Sequence, residues 1–482
     1  MTQEQNESAQ VEALSIPSLT ALPKTEVAFG IFAWNEENAV RPMVSSLFAQ
    51  SIFAELDRRQ WRSEILCVLN GCTDRTPAVA REIFERQSRE HPNREAFSTR
   101  VAELPERGKI NAWNQFVHAL SAKSARFLFM MDADILIHRP ETMWNMLEAL
   151  ERDPQASVSV DRPCKDLSFS SRKSFRNNLS LAASQMTRSA AGQLCGQLYC
   201  IRAEVARKIY LPKDLAACED GFIKALVCTD FLTRPVAPER IRLAEGAEHT
   251  FEAYTRPTAI LRNQKRQLIG QTIVHILVDE YLPGLPVAER RELGRTLREK
   301  DDRDPLWLKR VIETHLQRRH FFWRLYPGLL SQSFRRWAGV PGLKRLTCFP
   351  AAAAGFFAAL LASWTAFRAL KRGRTNYWPR AQRGGIATRR EEIGGKRTTS
   401  PLPSPPEEEK EMPRRLEDAA AGLQFRASLA FESGSPESVR GAQLYTLRAA
   451  RAGRRSGARS AADGGDEMSP PLTTTGTAQP NP

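Results

Sequence analysis

Short apolar runs that break into polar residues and then into a helical pattern recur along the first 140 residues. Residues 26–33 are the first, ending at Trp34-Asn35-Glu36-Glu37-Asn38, after which Val40, Val44, Leu47 and Phe48 share one helical face. Residues 63–69 are the second, ending in Asn70-Gly71-Cys72-Thr73-Asp74 before a helix that carries Ala78, Val79, Ile83 and Phe84. Asn-Gly marks a tight turn, and Thr73 or Asp74 is placed to cap the helix that follows. A third strand at 99–104 leads to Gly108 and Lys109, which open a helix and so offer its N-terminus to an anion. The fourth run, 126–137, breaks onto Asp132 and Asp134 and then resumes. Apolar runs this short read as buried strands, and strands alternating with helices predict right-handed crossovers and a parallel sheet. All four loops then lie at the edge where open α/β sheets take ligands.

Chemistry enters at that edge. Residues i and i+2 of an extended chain point the same way, so Asp132 and Asp134 make a hard-oxygen pair suited to Mg²⁺ or Mn²⁺ on a diphosphate. An Asp-x-Asp arises about once by chance in a chain of this size, and taken singly the pair could equally be a turn whose Asp side chains bond locally. Asp302-x-Asp304 is a second instance, but it lies in a solvated charge run with no strand before it. Further on, Glu219-Asp220 opens an amphipathic helix, where ordinary capping is the plain alternative to a catalytic carboxylate. No Gly-x-Gly-x-x-Gly follows the first strand, which argues against a dehydrogenase.

Composition divides the chain. Residues 1–25 are polar and acidic with no apolar core, which predicts a disordered leader, and 26–285 alternate like a globular domain. Residues 286–345 are helical, basic and aromatic, with Trp307, Trp323 and Trp337 among arginines. Residues 346–367 carry no formal charge, so 346–370 are expected to span a membrane or lie along one. The Pro-, Glu-, Arg- and Gly-rich stretch 371–482 is expected to be disordered. The net charge of +15 gathers mainly after residue 289, and no zinc-finger spacing or RNA-binding aromatic signature accompanies it, so nucleic acid is not expected as a partner. Eight cysteines without Cys-x-x-Cys predict reduced thiols in a cytosolic compartment.

Together the loops resemble family 2 glycosyltransferases of the GT-A type. Asn35-Glu36-Glu37, Asn70 to Asp74, Gly108-Lys109 with Asn114, Asp132-Ala-Asp134, Gly196 and Glu219-Asp220 follow that family's order over residues 26–270. The resemblance implies an α/β fold, a GT-A type Rossmann-like mostly parallel sheet flanked by helices, here followed by a C-terminal helical, membrane-associated segment. It implies transfer of a sugar, with inversion, from a nucleotide diphosphate donor to a hydroxyl acceptor. Asp220 would be the base. Asp134 would hold Mg²⁺ or Mn²⁺, with His249 as a further metal or phosphate contact. Asn35, Glu37, Asn70, Asp74, Lys109, Asp132, Gly196, Glu219 and Arg266 would line the donor and acceptor sites.

Two departures limit what carries over. The family's Asp-Asp pair after the second strand is Leu69-Asn70 here, and an amide both donates and accepts where a carboxylate only accepts. Uracil therefore cannot be assumed, and both UDP- and GDP-linked donors stay open. The family's later Gln/Arg-x-x-Arg-Trp appears loosely as Arg262 to Gln267, in which Arg266 could bind diphosphate or simply face solvent. The basic aromatic stretch beside an apolar segment suggests a lipid or lipid-linked acceptor, with the protein on a membrane and its catalytic domain cytoplasmic. The rivals are a nucleotidyltransferase of similar fold and an inactive membrane-tethered scaffold.

Overall fold

A computed structural model describes residues 24–166, 192–215, 218–252, 257–318, 338 and 344–373. The calls on residues 1–23, on Trp323 and Trp337 and on the tail from 374 onward lie outside these residues. One eight-stranded sheet organises the rest: β1 (Thr25–Ala33), β2 (Arg62–Asn70), β3 (Phe97–Leu104), β4 (Phe127–Asp132), β5 (Ile135–Ile137), β6 (Val158–Lys165), β7 (Leu198–Arg202) and β8 (Ile241–Phe251), in spatial order β3-β2-β1-β4-β7-β6-β8-β5. The first four in that order pair in parallel, as the β-loop-α repetition predicts. Beyond β4 the pairing is mixed: β7 runs antiparallel to β4 and β6, β8 parallel to β6, and β5 antiparallel to β8.

The run 126–137 is therefore not one strand. It turns at Ala133 and Asp134, and its last three residues cross to pair with β8, which curls the sheet back on itself. Apolar residues on both sides of the turn hide this break from any periodicity.

Alternation along β1 feeds a core on each face. Val27, Phe29 and Ile31 pack with the helices Val40–Phe48, Ile52–Arg58, Thr76–Glu90 and Thr142–Arg152. Ala28 and Phe32 face the other way, onto Trp113, Phe116, Phe222 and the helix Pro257–His275. That second core also takes in Leu297, Trp307, Leu308 and Ile312 from helices Leu293–Arg303 and Trp307–Arg318. Trp307 is thus an interior residue.

The acidic run around residue 302 is solvated only in part. Its neighbour Asp301 is 1% exposed, and its carboxylate accepts from Tyr210 Oη (3.0 Å), Lys213 N (2.9 Å) and Trp307 Nε1 (2.6 Å). A buried carboxylate with three donors is satisfied, and it ties the later helices to the segment after β7.

The apolar stretch near 350 is a helix, Lys344–Lys371, but not a membrane span. Among the described residues no helix is long and apolar enough to cross a bilayer. One side of it packs inward: Ala362, Ala366 and Ala369 are buried with Leu370 in the second core, close to the helix Pro257–His275.

Candidate active site

Each predicted loop arrives at the same edge, and backbone bonds lock them together. Gly71 N donates to Leu104 O at 2.9 Å, Ala133 N to Phe32 O at 3.1 Å, and Asp132 N to Gln197 O at 2.9 Å. Asn70 is buried and uses both ends of its amide in this lacing, Nδ2 donating to Ala33 O and Oδ1 accepting from Gly108 N. Asn35, with φ of 56°, bonds Thr73 through its side chain, and Asp74 and Glu37 each accept a backbone N–H from the opposite loop. These four residues thus brace the first two loops against each other. Asp74 also accepts the N–H of Thr76 at 3.0 Å, a local turn bond rather than the expected cap, since Arg75 holds the N-cap position and no side chain caps the helix.

Lys109 is the hub. Its ammonium lies 2.6 Å from Asp132 Oδ1 and 2.9 Å from both Glu219 Oε1 and the Gly196 carbonyl. Three donors meet three acceptors from three segments, so the lysine gathers the strand end, the Gly196 turn and the helix Glu219–Cys228. Burial works against its charge, but Asp132 and then Glu219 outweigh burial and hold the amine above its ordinary value. Glu219 is likewise held below the usual carboxylate range, because Lys109 overcomes burial. A Cβ on Gly196 would sit 3.2 Å from Glu219 Oε1 and 3.4 Å from Asp220 Cβ, so a side chain here would press on the Glu219 carboxylate and push it by a few tenths of an ångström. Adjacent acids therefore diverge: Glu219 is spent on Lys109, while Asp220, half-buried beside the Gly196 turn, accepts the N–H of Gly221 at 2.8 Å.

Asp134 differs from Asp132. Among the described residues it forms no ion pair, although Lys109, His249 and Arg266 partly offset the burial that raises its carboxyl. Arg266, from the helix Pro257–His275, also lowers Glu219, so its charge reaches this edge. His249 is fully enclosed, with Nδ1 2.7 Å from Asp161 Oδ2 and Nε2 3.4 Å from Gln197 Oε1.

Two further acids, Glu36 and Asp161, were not selected by sequence reasoning. Glu36 is pushed up to about 8, first by burial and then by Asp134, Asp132, Asp74 and Glu252. Asp132 is pushed up to about 7 by burial and Asp134 despite Lys109. Asp161 is an aspartate within an apolar strand, the one sign by which it could have been found. Gln197 gave none. The carboxyl groups here outnumber Lys109 and Arg266, and burial with their mutual repulsion holds protons on Glu36 and Asp132, an arrangement that suits a cation. No group of three or more metal-ligating side chains converges among the described residues. Mg²⁺ and Mn²⁺ sites need fewer, since one or two carboxylates plus substrate phosphate oxygens suffice, and Asp134 with the imidazole of His249 fits that donor set.

A pH signature follows from Glu36. Its folded value near 8 exceeds its ordinary 4.5, so its contribution to stability is complete below 4.5 and is lost as pH rises through 8. The melting temperature of metal-free protein should fall across that window, and Glu36→Gln should flatten the fall; parallel curves for the two proteins would contradict the assignment.

Residues 29–203 match the family model described as Glycosyl transferase family 2. No curated protein matches the chain. Among solved structures, the chain is similar to a mannosyltransferase from Pyrobaculum calidifontis in complex with GDP-Man and Mn²⁺, at 16% identity over 72% of this chain and 88% of that one, with a TM-score of 0.41. S. aureus TarS 1–349 in complex with UDP is similar at 16% identity over 75% and 95%, with a TM-score of 0.36. Glucosyl-3-phosphoglycerate synthase from Mycobacterium tuberculosis, in complex with Mn²⁺, UDP-glucose and phosphoglyceric acid, is similar at 16% identity over 55% and 81%, with a TM-score of 0.34.

Proposed function

We propose that this protein moves a sugar from a nucleoside diphosphate to a hydroxyl acceptor, with Asp220 as base and Asp134 as the residue that holds a divalent cation, a reading supported by the match of residues 29–203 to the model described as Glycosyl transferase family 2. The observation that carries this reading is the Lys109 hub, which brings Asp132 and Glu219 onto one ammonium and so sets the Asp-x-Asp turn beside Asp220. A bound cation would neutralise charge on the departing nucleoside diphosphate. The protein's own residues do the rest. Lys109 fixes Asp132 against the Gly196 turn, where the acceptor hydroxyl would enter. Asp220 takes the hydroxyl proton as the oxygen attacks the anomeric carbon from the face opposite the leaving group, which inverts the centre. Arg266 supplies a charge-assisted contact to the diphosphate.

Asn35, Glu37, Asn70 and Asp74 shape the donor pocket by fixing its loops, and base selectivity between UDP and GDP falls to the surfaces they hold in place. Thermal melts of the full chain with UDP- and GDP-sugars, with and without Mn²⁺, test this. A rise with one nucleotide class that needs Mn²⁺, together with release of the nucleoside diphosphate on adding acceptor, is expected. Pyrophosphate release from a nucleoside triphosphate and a sugar phosphate would favour the nucleotidyltransferase instead, and binding of neither would leave the scaffold.

A second observation bears on where the enzyme works. Opposite its buried alanines, the helix Lys344–Lys371 exposes Phe349, Phe357, Leu361 and Trp364, with Phe357 65% exposed. Arg368 stacks over Trp364 at 4.7 Å and Lys371 over Phe367 at 5.0 Å, and no acidic residue occurs from 344 to 373. Large apolar side chains flanked by cations suit an anionic bilayer surface, with the helix lying in its plane. The catalytic domain then works at the cytoplasmic leaflet on a lipid-linked acceptor. Full-length protein should co-sediment with phosphatidylserine vesicles more than with phosphatidylcholine vesicles, and Phe357→Glu with Trp364→Glu should abolish this; equal binding to both vesicles, or none, would refute it.

A further inference from the structure

Asp161 sits where the sheet loses register. Along β6 and β8, Val160 pairs with Leu243, yet Arg162 pairs with Glu248, so the chain takes two steps on one strand and five on the other. Such irregularities re-aim side chains, and this one sets Asp161 against His249. The contact is 2.7 Å between Asp161 Oδ2 and His249 Nδ1, and neither residue has any exposed surface. Among the described residues Asp161 Oδ1 is buried with no hydrogen-bond partner. A half-satisfied buried carboxylate is costly, and well-packed apolar residues would serve the core at least as well. Packing therefore does not account for the pair.

Its position does. The far nitrogen of His249 faces Gln197, whose carbonyl receives the N–H of Asp132, so the pair stands directly behind the Asp-x-Asp turn. Histidines that bind metals characteristically donate their other ring N–H to a carboxylate, which fixes both ring orientation and tautomer. With Nδ1–H on Asp161, the lone pair of His249 is on Nε2. Gln197 Oε1, 3.4 Å from Nε2, is itself an acceptor, so in this tautomer the two make no hydrogen bond and none is given up when the lone pair turns to a cation.

We propose that Asp161 is a positioning residue that holds the His249 imidazole as a nitrogen ligand of the divalent cation at Asp134. This rests on the cation reading above, in which His249 is already a candidate ligand, and adds to it that ligand's support. The protonated ring nitrogen and the register step are its physical content.

Mn²⁺ itself is the probe. With full-length protein and saturating GDP or UDP, whichever stabilises it, Mn²⁺ affinity is measured by electron paramagnetic resonance, and the spin echo is recorded on protein labelled with ¹⁵N-histidine. Nitrogen coupling to Mn²⁺ is expected in the wild type and lost in His249→Gln. Asp161→Asn should weaken Mn²⁺ by about 10–100-fold, while apo melting temperature stays level or rises, because a buried charge is removed. Mn²⁺ binding without imidazole coupling, or at wild-type strength in Asp161→Asn, overturns this inference alone. If the wild type binds no Mn²⁺ with either nucleotide, the cation reading fails and takes this one with it. Should Asp161→Asn not fold, the coupling comparison between wild type and His249→Gln still decides whether the imidazole is a ligand.

Discussion

Asp220→Asn is expected to lower kcat by about 10²–10⁴-fold, the share of a rate that a positioned general base supplies, while donor affinity is unchanged. The asparagine keeps an oxygen that can accept the Gly221 N–H, the 2.8 Å bond the aspartate makes, so the helix start retains its shape. What disappears is a group able to take a proton at neutral pH. Loss of the charge at the helix N-terminus should cost only about 0.3–1 kcal/mol of stability. The discriminating readout is therefore kcat against the Kd of the nucleotide sugar with Mn²⁺ present. Transfer at the wild-type rate would remove Asp220 from the chemistry; loss of both transfer and donor binding would make it a donor ligand.

The second large effect is structural. Lys109→Met should destabilise the fold by about 3–5 kcal/mol, the usual cost of removing one partner from a buried ion pair. Here the cost falls on two carboxylates at once, since Asp132 and Glu219 are 17% and 8% exposed and share the one ammonium. The Gly196 carbonyl would lose the same donor. Both acids in the variant would ease the penalty by protonating, so the deficit against wild type should shrink as pH falls. Urea denaturation at two pH values measures this. A pH-independent loss of less than about 1 kcal/mol, the range of an exposed pair, would show the ammonium to be dispensable.

The half of the sheet that carries the first four loops was legible in the sequence. Expected strands at 26–33, 63–69 and 99–104 correspond to Thr25–Ala33, Arg62–Asn70 and Phe97–Leu104. Of these, β1 and β2 are buried on both faces and so leave continuous apolar runs, which is a strong signal. The other half was not legible by composition. β8 mixes glutamates, a glycine and alanines, and its pairing with β6 shifts midway, so no period of two survives in it. For the same reason Gln197 was invisible and Asp161 showed only as an acid within an apolar strand: their roles come from contacts with His249 and Asp132 across elements far apart in the chain. Lys109 was selected for its helix N-terminus, but three internal acceptors claim its donors. Asp301 shows the converse, a member of a charge run whose burial is decided by Tyr210 and Trp307. Along 346–367, apolar composition marked a buried face without saying what it was buried against.

The bonds from Tyr210, Lys213 and Trp307 to one enclosed aspartate have a practical bearing. They staple the later helices to the chain just ahead of Asp220, and Leu297, Leu308 and Ile312 fill the same interior as Phe222. The catalytic half accordingly offers no clean scissile boundary near residue 285. A fragment ending there would leave the Tyr210 hydroxyl and a wide greasy wall with nothing to meet, beside the helix that carries Asp220.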